Sequence, residues 1–294
     1  MNKTICALGF FDGVHTGHAA LLSACRHLAE KQGCRCAVVT FTSHPDALVL
    51  GEPPRLINTP ADRRRLLRSQ FHMDNVIELP FDEAMRAMLW EDFLTMLRRE
   101  YQAAGFVCGE DFRFGSRGAG NAVLLRQYCT ENGLACAVVP EQFLDNVRIS
   151  STYIRKQLET GDMATAVRFL GHPHILTGTV VPGKKLGRTL GIPTANLSYP
   201  EGLAMPRFGV YACKAWVEGA VYPAVTNIGT RPTVEGENIT VEPWILDYSG
   251  DLYGKQITLG FYRFLRPEQK FDSLEALKAA ILQDAEQTRT LLTQ

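Results

Sequence analysis

The chain has 294 residues, 46% of them hydrophobic and 21% charged, and Lys+Arg and Asp+Glu each total 31. That length suits two domains better than one core, and the balance is that of a folded soluble protein. A formal net charge of zero argues against a dedicated nucleic-acid binder, and the lack of an 18-residue apolar run argues against a transmembrane helix.

The first half alternates strand and helix. Thr4 to Phe10 is a short apolar run that reads as a first strand, not as a signal peptide. A helix follows from His18 to Lys31, with Leu21, Leu22, Cys25, Leu28 and Ala29 on one stripe and Gly33 as its stop. Cys36 to Phe41 is a second strand, Pro60 to Gln70 an arginine-rich helix, and Val76 to Leu79 a third strand. The spacing then predicts a helix over Phe81–Tyr101, a strand over Gly105–Cys108, a helix over Ala122–Asn132 and a strand over Ala135–Pro140. Such alternation implies a parallel sheet covered on both faces.

The second half changes character. Helical stretches from Ser151 to about Leu170 end at Gly171-His172-Pro173. Short strands then run from Val210 to Val217, Tyr222 to Asn227, Ile239 to Leu246 and Lys255 to Phe264, which suggests a small antiparallel barrel. A last helix starts at Ser273, with Asp272 and Glu275 as its capping pair and Leu274, Leu277 and Ile281 as its buried stripe. The domain boundary falls near 172–176, giving domains 1–172 and 173–294. Eight scattered cysteines form no C-x-x-C pair, so neither zinc spacing nor a secreted disulfide framework is present, and the cytosol is the natural setting.

Ligands of open α/β sheets bind at the carboxyl ends of the strands. Four polar segments follow strands there: Gly9 to His18, Thr40 to Pro45, Gly109 to Gly115 and Arg148 to Arg155. Glycine lets backbone approach phosphate closely, and the helix after Gly17 offers free N–H groups and a positive dipole end. His15 and His18, at that helix start, can hydrogen-bond phosphate oxygens. Two surface histidines on an ordinary turn are the bland alternative, with roughly even odds for an isolated H-x-G-H. Placement between strand and helix shifts the balance to function.

His15-Thr16-Gly17-His18 and Ile149-Ser150-Ser151-Thr152 resemble the H-x-G-H and I-S-S-T signatures of the nucleotidylyltransferase superfamily. Gly9 to His18 and Gly109 to Gly115 resemble its FAD synthetase branch. The resemblance implies that FMN phosphate attacks the α-phosphorus of ATP without a covalent enzyme intermediate. It implies that His15 and His18 are catalytic and hold the ATP phosphates. Gly9, Phe10, Asp12, Gly17, Asp111, Arg148, Ser151 and Thr152 would bind the nucleotide, and His44 the flavin. Solvated charge for Arg148 and helix capping for Ser151 and Thr152 are the structural alternatives. One departure stands out: the family reads T-F-E-P-H-P where this chain has Thr40-Phe41-Thr42-Ser43-His44-Pro45.

Gly178 to Lys185 nearly matches a P-loop but ends in Lys185 where a Ser or Thr would hold magnesium, and no helix follows. Gly178 to Asn196, ending Pro193-Thr194-Ala195-Asn196, instead resembles riboflavin kinase. There Gly178, Gly183, Lys184 and Gly187 would cradle ATP, Thr194 and Asn196 would hold magnesium, and Arg188, Asn227 and Arg231 would meet the flavin. Glu242 aligns with the catalytic glutamate, the acceptor of the riboflavin 5′-hydroxyl proton. Pro243-Trp244 stand where Thr-His is usual.

The resemblance covers about Gly9 to Asp284. It implies a Rossmann-like α/β nucleotidylyltransferase domain with a parallel sheet, then a small antiparallel β-barrel kinase domain and a C-terminal helix. The expected ligands are riboflavin, FMN and ATP with Mg2+, with no nucleic-acid or membrane partner, in a monomer. Three readings compete: one activity lost, a non-catalytic flavin- or nucleotide-binding regulator, and a transferase for another phosphate acceptor. His15, His18, Thr194 and Glu242 argue against the regulator, and the P-T-A-N segment against the third.

Overall fold

The computed structural model describes residues 3–182, 191–233 and 236–293, with 231–238 described in their backbone alone where they lie in strands. By internal contacts the chain divides into two compact units: residues up to Leu56 with Pro60–Ser151, and Ile57–Thr59 with residues from Thr152 onward.

The first unit is built on five parallel strands: β1 Thr4–Leu8, β2 Arg35–Phe41, β3 Asn75–Leu79, β4 Ala103–Gly109 and β5 Ala135–Val139. Their order is β3-β2-β1-β4-β5, so the chain reverses direction of travel at β1. Ile5, Cys6, Ala7 and Leu8 are all buried, as expected of a central strand with layers on both faces. The crossovers are α1 Thr16–Gln32, α2 Pro60–Ser69, α3 Trp90–Tyr101 and α4 Ala122–Glu131. Helix α1 buries Leu21, Leu22, Cys25 and Ala29 and stops at Gly33 in the left-handed conformation.

The single helix expected over Phe81–Tyr101 is two. Residues Glu83–Ala87 form a short helix capped by Asp82, and α3 begins at Trp90. Met88 and Leu89 are extended between them. The reason is tertiary: the Met88 carbonyl accepts the Ser116 N–H at 2.7 Å, so it leaves the helical ladder.

In the second unit, α5 Ser151–Thr160 and α6 Met163–Leu170 are separated at Gly161. Six strands follow: β6 His174–Thr179, β7 Leu197–Ser198, β8 Gly209–Val217, β9 Ala220–Thr233, β10 Gly236–Ile245 and β11 Gln256–Arg266. Their order is β6-β11-β8-β9-β10-β7, all antiparallel, and a bridge from Val180 to Leu197 brings the two ends together into a nearly closed barrel. The strands β6 and β7 were not anticipated, and β9 and β11 extend past their expected ends, because ladder partners prolong them beyond the local pattern.

The last helix, α7 Leu274–Leu292, is where the sequence reading needs most correction. Its cap is Ser273, whose hydroxyl accepts the Ala276 N–H at 3.1 Å, and not Asp272. Leu274 is 63% exposed, and the buried face is Asp284, Ala285 and Thr288, with Leu277 and Ile281 half-buried. Hydrophobicity pointed to the first turn; a buried ion pair, described below, sets the face instead.

No helix among the described residues is long and apolar enough to cross a membrane.

Candidate active sites

At the carboxyl ends of β1, β4 and β5 the first unit holds a polar hollow of about 190 Å³. Its walls include His15, Gly17, His18, Asp111, Arg148 and Ser151. These six expected residues come from three of the four polar segments, and the parallel sheet delivers them to one rim; the fourth, Thr40 to Pro45, borders the neighbouring hollow instead. The segment after β1 reaches it through a tight reversal in which Phe11, Gly13 and Val14 all have positive φ, at 60°, 78° and 40°. For Val14 this is a strained conformation, of the kind that persists where surroundings fix it.

His15 caps α1, its Nδ1 accepting the His18 N–H at 3.2 Å. The two imidazoles stack with centroids 3.6 Å apart. A Cβ at Gly17 would sit 3.2 Å from the His15 ring and 3.5 Å from Ile149, so glycine keeps the pair and the Ile149 segment in place. His18 Nδ1 is buried and has no protein partner. Burial first, then the charges of His15 and Arg63, hold the His18 pKa well below its usual value, so at neutral pH it is a neutral imidazole.

Across the hollow, Arg148 bridges Asp111 at 2.5 Å and Glu141 at 2.6 Å. The Ser151 hydroxyl donates to the Asp12 carbonyl at 2.9 Å and so ties the start of α5 to the turn after β1. Asp12 is buried under that turn, and Thr152 is exposed on the first turn of α5. Gly9 borders a second hollow beside the first. Phe10 packs its ring edge to face with His44 at 4.5 Å, and His44 Nδ1 accepts the Asp46 N–H at 3.2 Å.

That second hollow, about 220 Å³, is apolar. Phe41, Phe81, Phe112, Phe114 and Met85 line it, with Arg86, Arg113 and Arg117 among its walls. Sequence reading missed it, since its aromatics come from separate loops with no shared spacing. Arg63 was missed too, although it is buried within reach of His18's field.

In the barrel a hollow of about 270 Å³ gathers Thr194, Asn227 and Glu242 with Ile192, Trp244, Arg266, Glu268, Phe271, Leu277 and Ile281. Asn227 on β9 lies directly opposite Glu242 on β10, so their side chains share a face, and Trp244 falls on it two residues on. Glu242 is half-buried. Pro243 does no harm to the ladder. Its carbonyl accepts the Ala195 N–H at 2.9 Å, which places its nitrogen on the same side, away from β9, so the missing N–H costs the β9–β10 ladder nothing.

Arg266 clamps Asp284 through Nε and Nη2 at 2.8–3.1 Å, which buries that carboxylate on α7. The Asn227 amide donates to Glu268 at 3.0 Å. A Cβ at Gly229 would fall 2.1 Å from the Glu268 carboxylate, so glycine is what admits Glu268 to the site. Glu268, Arg266 and Asp284 went unrecognised in sequence.

Thr194 also borders a smaller hollow with Pro193, Tyr248 and Asp251, and so stands between two cavities. Asn196 accepts the Val181 N–H on its backbone carbonyl at 2.9 Å, and Gly178 pairs with Ile257 in the sheet; neither is in a hollow's wall. Gly183, Lys184, Gly187 and Arg188 lie outside the described residues, as does the side chain of Arg231.

Residues 1–153 match the FAD synthetase family and residues 170–292 the riboflavin kinase family. The chain is 33% identical over 296 residues to a bifunctional riboflavin kinase/FMN adenylyltransferase of Listeria monocytogenes, covering 98% of this chain and 92% of that protein. It is 35% identical over 283 residues to the enzyme of the same name from Escherichia coli, covering 95% and 90%. Among solved structures, a protein of Streptococcus pneumoniae described as a macrolide-efflux protein superposes with a TM-score of 0.87 at 30% identity, covering 98% of this chain and 94% of that one.

Proposed function

Because the chain belongs to the bifunctional riboflavin kinase/FMN adenylyltransferase family and converts riboflavin to FMN and FMN to FAD, we propose that each reaction has its own site, one in each half. We assign adenylylation to 1–172 and phosphorylation to 173–294. The observation that carries this is convergence: His15, His18, Asp111, Arg148 and Ser151 meet around one hollow, and Thr194, Asn227 and Glu242 around another.

In the barrel the nucleophile is an alcohol. Its proton must leave as the oxygen bonds to the γ-phosphorus of ATP and the bond to ADP breaks. Glu242 is the acceptor, a carboxylate facing the hollow from a rigid strand. The apolar walls Ile192, Trp244, Phe271, Leu277 and Ile281 receive the flavin ring, with Asn227 at its polar edge. Thr194 and Asn196 offer only oxygen donors, which fits Mg2+ held chiefly by ATP phosphates, and no His/Cys/Asp/Glu cluster of three occurs among the described residues. The ion would neutralise charge on the phosphates.

In the sheet domain the nucleophile is the FMN phosphate, already an anion, so no general base is needed. One of its oxygens attacks the α-phosphorus and the bond to pyrophosphate breaks. Catalysis is then orientation and charge stabilisation. His15 and neutral His18 donate to the phosphate oxygens at the start of α1, whose free N–H groups add to the field. Arg148 and Ser151 orient the nucleotide. The neighbouring aromatic hollow takes the flavin ring of FMN, with His44, through Phe10, shaping the rim between them. Thr42 and Ser43 leave this geometry without the family's acid, and the histidine pair still supplies the chemistry.

The eight cysteines are free, which suits a reducing cytoplasm, and the balanced charge suits a monomer with no nucleic-acid partner. Chromatography of products from riboflavin, ATP and Mg2+, repeated from FMN, tests the assignment. FMN then FAD in the first tube and FAD in the second are expected; a missing product assigns a silent half.

A further inference from the structure

Arg63, Arg64 and Arg65 follow one another on α2. Arg64 pairs with Glu78 at the surface, while Arg63 is only 2% exposed. Burying a guanidinium is unfavourable unless its hydrogen bonds and charge are used. Its hydrogen bond and its ring contact join the end of β2, at the wall of the aromatic hollow, to the turn that leads to the histidine pair, and the Asp12 carboxylate of that turn attracts its charge. Nη2 donates to the Phe41 carbonyl, at the end of β2, at 2.6 Å. The guanidinium carbon lies 4.3 Å above the Phe10 ring. Phe10 is also held by Thr40, whose hydroxyl donates to its carbonyl at 2.9 Å. One buried cation therefore fastens the segment that carries the histidine pair to the neighbouring strand end.

Arg63 also acts through space. Its charge adds to burial and to His15 in keeping His18 neutral. His18 is faced by His15 from its own segment, by Arg63 from α2, and across the hollow by Glu110, Asp111, Glu141 and Arg148, while Asp12 acts on Arg63.

We infer that Arg63 is a positioning residue for adenylyl transfer, which clamps the Gly9–His18 segment against the end of β2 and surrounds His18 with fixed positive charge. The inference rests on the reading of His18 given above. It touches neither substrate nor reacting atoms, so its signature is indirect.

The test uses the full chain, with FAD formation from FMN and FMN formation from riboflavin measured side by side across pH. Arg63→Met keeps the stem and loses the charge. It is expected to lower kcat for FAD formation about 100-fold with KM for ATP within about threefold, the pattern of a misplaced group and not of lost binding. The acid limb of the kcat profile moves to higher pH, and riboflavin phosphorylation is unchanged. Arg63→Lys restores the limb and only part of the rate, because an ammonium cannot both stack on Phe10 and reach Phe41 as the planar fork does. Thermal melting of both variants checks folding, and if Arg63→Met is unfolded the Lys variant decides alone: reduced kcat with a wild-type limb is expected. A wild-type kcat in either folded variant overturns the proposal. So does a loss in Arg63→Met with an unmoved limb and no rescue by lysine. His18→Ala is run beside them; if it still makes FAD, the reading of His18 fails, a result distinct from failure of the Arg63 clamp.

Discussion

On the proposed assignment the two hollows answer the same problem, phosphorus transfer from ATP, with opposite means. The sheet domain sets a stacked histidine pair at the start of α1, behind a strained turn that Arg63 ties to Phe41 and that Ser151 ties through Asp12. The barrel sets a carboxylate on a strand and braces its floor with a buried ion pair. The difference follows from the nucleophile. An alcohol must lose a proton, so one site needs a base; a phosphate has none to lose in the attack, so the other needs only orientation and a field. Each fold supplies what its reaction lacks.

The sharpest way to break this contrast is to remove one chemistry at a time. Glu242→Gln should lower FMN formation by about 10²–10⁴ and leave FAD formation from supplied FMN intact. His18→Ala should do the reverse, by about 10²–10³. Loss of both activities in either folded mutant would end the two-site account.

A second test concerns acid. His174, in β6, is fully buried with neither ring nitrogen bonded, and burial, with His172 adding to it, lowers its pKa to about 4. The unfolded chain binds this proton as pH falls through 6.5, while the folded chain waits until about 4. Stability is therefore complete above about 6.5 and is lost between those values, by ~3 kcal/mol in all. Urea titrations of wild type and His174→Phe across that window should diverge; parallel curves would count against a neutral His174.

Asp284→Ala leaves Arg266 uncompensated in the barrel and should destabilise it by about 3 kcal/mol, the low end for a buried pair since Arg266 is partly exposed. Melting should show the loss. The smallest effect is the most local: Gly229→Ala displaces the carboxylate end of the exposed Glu268 side chain, so it should change stability by no more than about 0.5 kcal/mol while raising KM for riboflavin severalfold, with FAD formation from FMN unchanged.

The architecture was largely legible. Strand–helix alternation implied the parallel sheet, and the sheet placed His15, His18, Asp111, Arg148 and Ser151 on one rim. What stayed hidden was set by tertiary pairing. Sequence reading makes 60–70 an arginine-rich helix without telling its arginines apart, and only packing against Phe10 and Phe41 turns Arg63 inward. Asp284 is given no role there, because its partner Arg266 lies 18 residues away. The break at Met88 depends on a bond from Ser116, and the five phenylalanines of the aromatic hollow, at 41, 81, 93, 112 and 114, share no common periodicity. Local pattern reports which side chains prefer water; it cannot report a partner distant in sequence.

Pro243 has a consequence outside the ladder it sits in. Its carbonyl takes the Ala195 N–H at 2.9 Å, so the backbone next to Thr194 is stitched to the backbone next to Glu242. A main-chain bond of this kind is indifferent to the side chains on either side of it. The spacing of Thr194 and Glu242 is therefore held by a stitch that a change of residue at 243 leaves in place, which is how a proline can stand beside Glu242 with the hollow still assembled.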